Sequence, residues 1–262
     1  MRVITFNLRF ENDRDGENAW ENRRDQVIDI IHAYQPDILG TQEGKWNQLM
    51  DLQEGLPDYR AHLPDREPDP VVQSPTLFIK KSRFDITGGR DFWLSTTPEI
   101  HMSKDWDSAF PRMLSYAHLS DKIRGKTLCA GVTHLDHKGT EARYNQAKIV
   151  ADWVSRVDSP VVLMGDFNDS PDSGVHRVLM PPETVLSDTW QVLKKTEGPA
   201  GFTHHGFKGV PQVARMDWIL VSPDFRVEDA AILHDHVEGF YPSDHFPYMA
   251  DLTWRGSTFS TS

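Results

Sequence analysis

A chain of 262 residues with 38% hydrophobic content can bury a full core, and its length suits one large domain as well as two smaller ones. Its 39 acidic residues against 28 basic ones give a formal charge of −11, which repels nucleic acid at long range and argues against an extended DNA or RNA ligand. Room is left for a local basic rim that binds phosphate and for a site whose acids hold a divalent cation.

Cys129 is the only cysteine, so no disulfide forms within the chain, which fits a reducing compartment. It lies in the apolar run Thr127-Leu-Cys-Ala-Gly-Val132 and reads as an inert buried thiol. No charged-then-apolar leader and no run of 18 apolar residues occur, so neither signal peptide nor membrane span is expected. A cytoplasmic location is expected, with secretion still open should a leader have been removed. The expected domain is single, residues 1–255, followed by a flexible Ser/Thr-rich tail over 256–262. A monomer is expected.

In chain order, residues 2–8 read as a strand ending in Asn7, followed by a charged loop, 9–19, long enough to shape a pocket. From Trp20 to Tyr34 the spacing of Val27, Ile28, Ile31 and Tyr34 predicts a helix stopped by Pro36, with Arg23, Arg24 and Asp25 on its polar side. A second strand runs over 37–43 and ends in Glu43, and helical periodicity resumes from Lys45 to Leu56. Residues 57–75, with five prolines, read as a surface excursion. Strands are predicted at 76–80 and 113–119 around a loop, 95–112, that carries Trp106, Phe110 and Arg112. The strand 126–134 ends in His134-Leu-Asp136-His137. Thr140 is the expected N-cap of a helix whose stripe is Ile149, Val150, Trp153, Val154 and Val157.

The run Val161 to Met164 is β-rich and too short for a helix, and it empties into Gly165-Asp166-Phe167-Asn168-Asp169. Alternation along a strand points Asp166 and Asn168 the same way. A short helical stretch at 175–179 and a Gly-rich loop at 198–209 follow, then strands at 216–222, 226–233 and 248–254, with a turn at 241–245. Strands outnumber helices. Two sheets packed face to face with helices outside therefore fit better than one doubly wound parallel sheet.

Each strand-end polar residue taken alone reads as a turn or cap. Together Asn7, Glu43, His134, Asp136, Asp166, Asn168, Asp217, Asp244 and His245 form a constellation. The blocks Thr5-Phe-Asn7, Thr41-Gln-Glu43, Thr133-His-Leu135, Gly165-Asp-Phe-Asn168, Arg215-Met-Asp217 and Ser243-Asp-His245 resemble, in order, those of the endonuclease/exonuclease/phosphatase superfamily. The resemblance spans residues 5–245. It implies a DNase I-like fold, a four-layer α/β/β/α sandwich of two mixed sheets with the site at one edge.

The implied chemistry is hydrolysis of a phosphate ester, which must neutralise an anion and supply a proton acceptor for the attacking water. By resemblance Glu43 is the main ligand of Mg²⁺ or Mn²⁺, with Asn7 and Asp244 as further ligands. Asp217 holds His245 protonated, Asp166 orients or deprotonates the water, Asn168 holds a phosphoryl oxygen, and His134 is a second phosphate contact or an acid for the leaving group. Arg112 resembles a phosphate-contacting position. Arg143, Asp136 and His205 are further substrate-side candidates, each with an ordinary surface or loop role as its alternative. Trp20 and Trp106 are read either as stacking residues or as buried anchors; Arg23-Arg24 and Lys80-Lys81 read as ordinary charged faces.

The expected function is metal-dependent hydrolysis of a phosphodiester in a nucleotide, single-stranded nucleic acid or related small substrate. The alternatives are a phosphomonoesterase or phospholipase-C-like hydrolase of a sugar, inositol or lipid phosphate and, more remotely, a non-catalytic binding module. The loops 9–19, 57–75, 95–112 and 198–212, which choose the substrate, carry no pattern that names it.

Overall fold

Period-2 alternation of apolar side chains builds two six-stranded sheets in a computed structural model that describes residues 1–181 and 186–256. Of the expected tail, only Gly256 falls within that range. The strands are β1 (Arg2–Asn7), β2 (Ile38–Gly44), β3 (Tyr59–His62), β4 (Ser74–Lys80), β5 (Phe84–Trp93), β6 (Met113–Asp121), β7 (Lys126–His134), β8 (Val161–Asp166), β9 (Ser187–Asp188), β10 (Asp217–Val221), β11 (Phe225–Ile232) and β12 (Tyr248–Trp254). One sheet has the order β11-β12-β1-β2-β4-β3 and the other β5-β6-β7-β8-β10-β9. Both are mixed. The central pairs β1–β2 and β7–β8 are parallel, and the flanking pairs are antiparallel.

Between the sheets pack Val3, Ile38, Val132, Met164, Ile219 and Ala250, all buried. The outer face of the first sheet is covered by α1 (Trp20–Tyr34) and α2 (Trp46–Gly55), whose Val27, Ile31, Leu49 and Leu52 meet Ile4, Phe6 and Leu39. On the second sheet α3 (Thr140–Ser155) and α4 (Gly174–Leu179) set Ala147, Val150 and Leu179 against Leu163, Trp218 and Leu220. A last short helix, α5 (Thr189–Val192), follows β9. Each large aliphatic side chain so buried contributes about 1.5–3 kcal/mol. The result is the α/β/β/α sandwich expected from the strand-rich pattern.

Three strands lie outside the predicted elements: β3, inside the proline-rich 57–75 excursion, β5, and the two-residue β9. All three are edge strands. β5 also carries Gly88 and Gly89, a bulge between Ile86 and Gly88, and mostly solvent-facing side chains, so it lacks the alternation by which a half-buried strand is recognised. The start of α3 differs as well. Gly139 is its N-cap and Thr140 the first helical residue. Asp107, from the 95–112 loop, takes the Ala142 N–H at 2.7 Å, so a distant carboxylate satisfies a first-turn donor that a local cap would otherwise meet.

The parity that fills the space between the sheets also places the polar strand ends. Val3 and Thr5 lead to Asn7, Val132 to His134, Met164 to Asp166, and Ile219 back to Asp217, all on inward-facing positions of their strands. The core changes from apolar to polar along the same row of alternate residues. Gly165 lets β8 lie close to β7 at this point: a Cβ there would sit 2.1 Å from the Thr133 carbonyl oxygen. Gly165→Ala is expected to cost about 2–4 kcal/mol of unfolding free energy. An unchanged urea midpoint would refute that close approach.

Candidate active site

Register assembles the site. On the parallel pair β7–β8, His134 stands beside Asp166, and on the antiparallel pair β8–β10, Asp217 stands beside Asp166. Three chemically competent side chains thus line up on adjacent strands. From the other sheet Asn7 reaches across, its Nδ2 donating to Asp166 Oδ2 at 3.0 Å and to Glu43 Oε1 at 3.3 Å. Glu43 is further held by the Phe10 N–H, 3.0 Å from Oε2. Arg9, Glu43 and Asn168 all adopt left-handed φ, at 54°, 64° and 52°. Such strain in non-glycine residues, on the order of 1–3 kcal/mol each, gathers where the surroundings over-determine the backbone.

His245 arrives from the 241–245 turn, its Nδ1 2.9 Å from Asp217 Oδ2 and its Nε2 3.8 Å from Asp166 Oδ2. Burial works against its charge, but Asp217, by charge and hydrogen bond, and then Asp166 and Asp244 outweigh it and lift the ring to about 10. His245 is therefore an imidazolium at neutral pH. Asp166 is fully enclosed, and burial together with the Asp217 charge raises its pKa, opposed by His245. His134 moves the other way: burial first, then Arg112 and His245, push it well below the usual histidine range, so its ring is neutral. The Asn168 amide donates to the Leu135 carbonyl at 2.9 Å and to His134 Nε2 at 2.8 Å. An amide nitrogen only donates, so Nε2 is the acceptor and the ring proton sits on Nδ1, 4.0 Å from Glu43 Oε1.

The other anticipated residues are distributed around this cluster. Asn7 Oδ1 accepts the Arg9 N–H at 2.9 Å, which leaves that oxygen a second lone pair, while its Nδ2 braces two carboxylates as a donor. Both amide hydrogens of Asn168 are taken up, one by His134 and one by the Leu135 carbonyl. Asp244 takes the Ser243 hydroxyl at 3.3 Å and faces Arg9, whose Nε is 3.9 Å away. Arg112 is buried beside the cluster, with Nη2 3.2 Å from His137 Nδ1 and its Nε without a hydrogen-bond partner. Asp136 accepts from Ser108, Ala109 and Phe110 through Oδ2 and from Lys138 and Gly139 through Oδ1, and its Oδ2 lies 3.6 Å from Arg112 Nε, so it ties the loop that presents Arg112 to the chain after β7. Arg143 ties the Asp136 carbonyl to Asp169. His205 is buried behind the 241–245 turn, stacked on Phe246 at 3.9 Å between ring centroids. Trp20 is a buried anchor whose Nε1 donates to Asp51 at 2.7 Å, and Trp106 is partly exposed.

The family model described as "Endonuclease/Exonuclease/phosphatase family" matches residues 4–245. The chain belongs to that family. A member from Bacteroides vulgatus is 31% identical, with a TM-score of 0.87 over 97% of this chain and 98% of its own. Mannosyl-6-phosphatase from Bacteroides thetaiotaomicron is 29% identical, with a TM-score of 0.86 over 97% of this chain and 100% of its own. Drosophila melanogaster nocturnin is 20% identical over 89% of this chain, which spans 42% of nocturnin's length.

Enzymes of the endonuclease/exonuclease/phosphatase family use divalent metals. Among the described residues, one group of histidines and acids sits close enough to share an ion, Asp166, Asp217 and His245, with ligand atoms within 4.8 Å of one another. His245 fits poorly there, since its Nδ1 is committed to Asp217 and a protonated ring repels a cation. Glu43, held by the Asn7 amide and the Phe10 N–H, is an oxygen donor of the kind that suits a hard cation, and Asp217 Oδ1 is a further buried acceptor with no hydrogen-bond partner.

One residue missed in the sequence is Arg23, placed on a charged face but fully buried. Its guanidinium donates to the carbonyls of Leu8, Arg9, Asn18 and Pro242, clamping the chain just beyond Asn7 to the chain just before Ser243. Burial draws it down to about 10, so it stays charged. The signal was available: Arg23 lies three residues after Trp20 and four before Val27, on the apolar stripe of α1.

Asp217→Asn removes the largest of the charges that outweigh burial at His245, so the ring is expected to titrate well below its value of about 10. Histidine NMR titration of the metal-free protein reads this directly. An unmoved His245 would rule out the Asp217–His245 pair as the source of its charge.

Proposed function

We propose that this chain hydrolyses a phosphodiester in a nucleotide, single-stranded nucleic acid or related small compound, by in-line attack of water. The observation that supports this most is the pairing of a protonated His245 with a buried Asp166 whose pKa is raised. One group carries fixed positive charge for a developing anion, and the other is a proton acceptor of enhanced basicity. A bound Mg²⁺ or Mn²⁺ would supply Lewis-acid neutralisation of the phosphoryl oxygens, held by Glu43 with Asp166 and Asp244 nearby.

Asp166 takes the proton of the attacking water while His245 faces the phosphoryl oxygens. Asp217 keeps His245 charged and fixes its tautomer. His134, neutral and held by Asn168, donates through Nδ1 at a phosphoryl or leaving oxygen, and Arg112 adds a buried positive charge on the same side. Because the base must be ionised and its pKa is raised, turnover falls on acidification while the pH is still above the ordinary carboxylate range.

The second reading is a phosphomonoesterase. It is favoured by the likeness to mannosyl-6-phosphatase over the whole chain.

Turnover of bis-p-nitrophenyl phosphate, p-nitrophenyl phosphate and a short single-stranded oligonucleotide, with Mg²⁺, Mn²⁺ or chelator, separates the two. Metal-dependent diester cleavage is expected, falling by about 10²–10⁴ in Asp166→Ala and lost in Glu43→Ala, with thermal unfolding still cooperative in both. Monoester turnover alone would select the second reading. An Asp166→Ala protein as active as wild type would refute the mechanism.

A further inference from the structure

Beside the acid cluster lies a trough of about 240 Å³ whose walls are Phe10, Trp93, Met102, Phe110, Lys45 and Arg112. It is continuous with the site at two points. Phe10 donates its N–H to Glu43, and Arg112 lies within electrostatic range of Glu43 and Asp166. A phosphate ester held at Glu43 and Asp166 would therefore have this trough within reach of one of its substituents.

The lining decides what that group is. Besides the two cations, Gln73 is the one polar side chain in the wall, and Val71, Val72 and Pro111 extend the apolar side. Phe110 is 47% and Val71 67% exposed, so both are open to a ligand from solvent. Arg9 and Lys45 lie over the Phe10 ring at 4.6 and 5.7 Å, and Arg112 over that of Phe110 at 5.8 Å. A sugar brings several hydroxyls, and this wall would leave most of them unpaired. The volume falls below the ~300–1,000 Å³ of pockets for drug-sized ligands, which suits a single ring system better than an acyl chain.

Resting on the phosphoesterase reading above, we propose that the trough binds a flat aromatic moiety on the alcohol side of the ester, an aryl group or a nucleobase. The ring packs against Phe110, extending the stack that Phe110 makes with His137 at 5.7 Å between centroids, with Phe10 in the opposite part of the wall and Gln73 and Lys45 at its polar edge. Arg112, buried between cluster and trough, sets the distance from phosphate to ring. This trough is made by side chains from positions 10 to 112 and owes nothing to the row His134, Asp166 and Asp217.

The test is a binding measurement on the Asp166→Asn protein, so that turnover does not enter. Intrinsic tryptophan fluorescence, to which Trp93 contributes, is titrated with 1-naphthyl phosphate, adenosine 5′-monophosphate, mannose 6-phosphate and inorganic phosphate in Mg²⁺. The two aromatic phosphates are expected to bind about tenfold or more tightly than the sugar phosphate, the scale of one stacked ring. Phe110→Ala in the same background is expected to erase that preference and leave inorganic phosphate binding unchanged. Phe110 is half exposed, so the variant folds; Val71→Ser serves as an independent second probe of the same wall. Equal or tighter binding of mannose 6-phosphate, or a preference that survives both substitutions, would overturn the aromatic trough and leave the phosphoesterase reading standing. Failure to bind any phosphate, with a wild-type protein inactive on every ester, would overturn the parent reading itself.

Discussion

Everything at the site depends on the register of three adjacent strands. β8 is fixed against β7 by the parallel pairing that sets Thr133 beside Gly165, and against β10 by the antiparallel pairing that sets Trp218 beside Gly165. A slip of one residue would turn His134, Asp166 or Asp217 away from the inter-sheet face and expose an apolar neighbour in its place. The register is specified by burial. Leu163 and Trp218 must face the helices, whereas Met164 and Ile219 must face the other sheet. Gly40 adds a constraint between the sheets, since a Cβ there would sit 2.6 Å from the Met164 sulfur. Catalytic geometry here is a by-product of core packing carried one residue further along the strand.

The charges around this row are arranged so that few are unaccompanied. Asp217 and His245 neutralise each other, and behind them the buried Arg215 bonds Asp188 at 2.8 Å and also Glu197, while Asp188 meets His176 at 3.0 Å. Taking such groups out of water costs several kcal/mol apiece, recovered only if each partner is well placed. Arg23 differs, because its ligands are backbone carbonyls. It lies beneath Asp244 and Glu43, whose charges favour its protonated form. A permanent cation at that position lowers the cost of gathering carboxylates at the mouth of the site.

Much of this could be read from the sequence, and the physical reason is simple. Strands that bury both faces produce apolar runs, and a run that ends in Asp, Asn or His stands out, as at Met164-Gly165-Asp166. The two sheets and four principal helices followed from periodicity. Of the four edge strands only β11 did; β3 and β9 are too short, and β5 too solvent-facing, to leave a pattern. Donor and acceptor direction was equally hidden: the orientation of the Asn7 and Asn168 amides depends on the Arg9 N–H and the Leu135 carbonyl. Asp136 reads as a substrate-side candidate or a loop residue, and which it is depends on backbone donors at 108–110 and 138–139 and on Arg112, none of which a local pattern reveals. The trough was illegible for another reason. Its wall draws on segments around residues 10, 45, 71, 93, 102 and 110, and no local pattern records that they meet.

The position of β1 in its sheet has a consequence for how the fold closes. Its two neighbours are β2, which follows almost at once, and β12, some 250 positions later; the Arg2–Asp251 pairing and the Ser243 bond to the Asn7 carbonyl both close the same gap. Until β12 docks, β1 keeps one edge of amide and carbonyl groups unmatched, open to pairing with any extended segment that comes by. Arg23, likewise, waits for the Pro242 carbonyl. The same distant contacts that shut the edge of the sheet also bring the 241–245 turn against Asn7, so the loop entropy of joining the two ends of the sequence is met once for both.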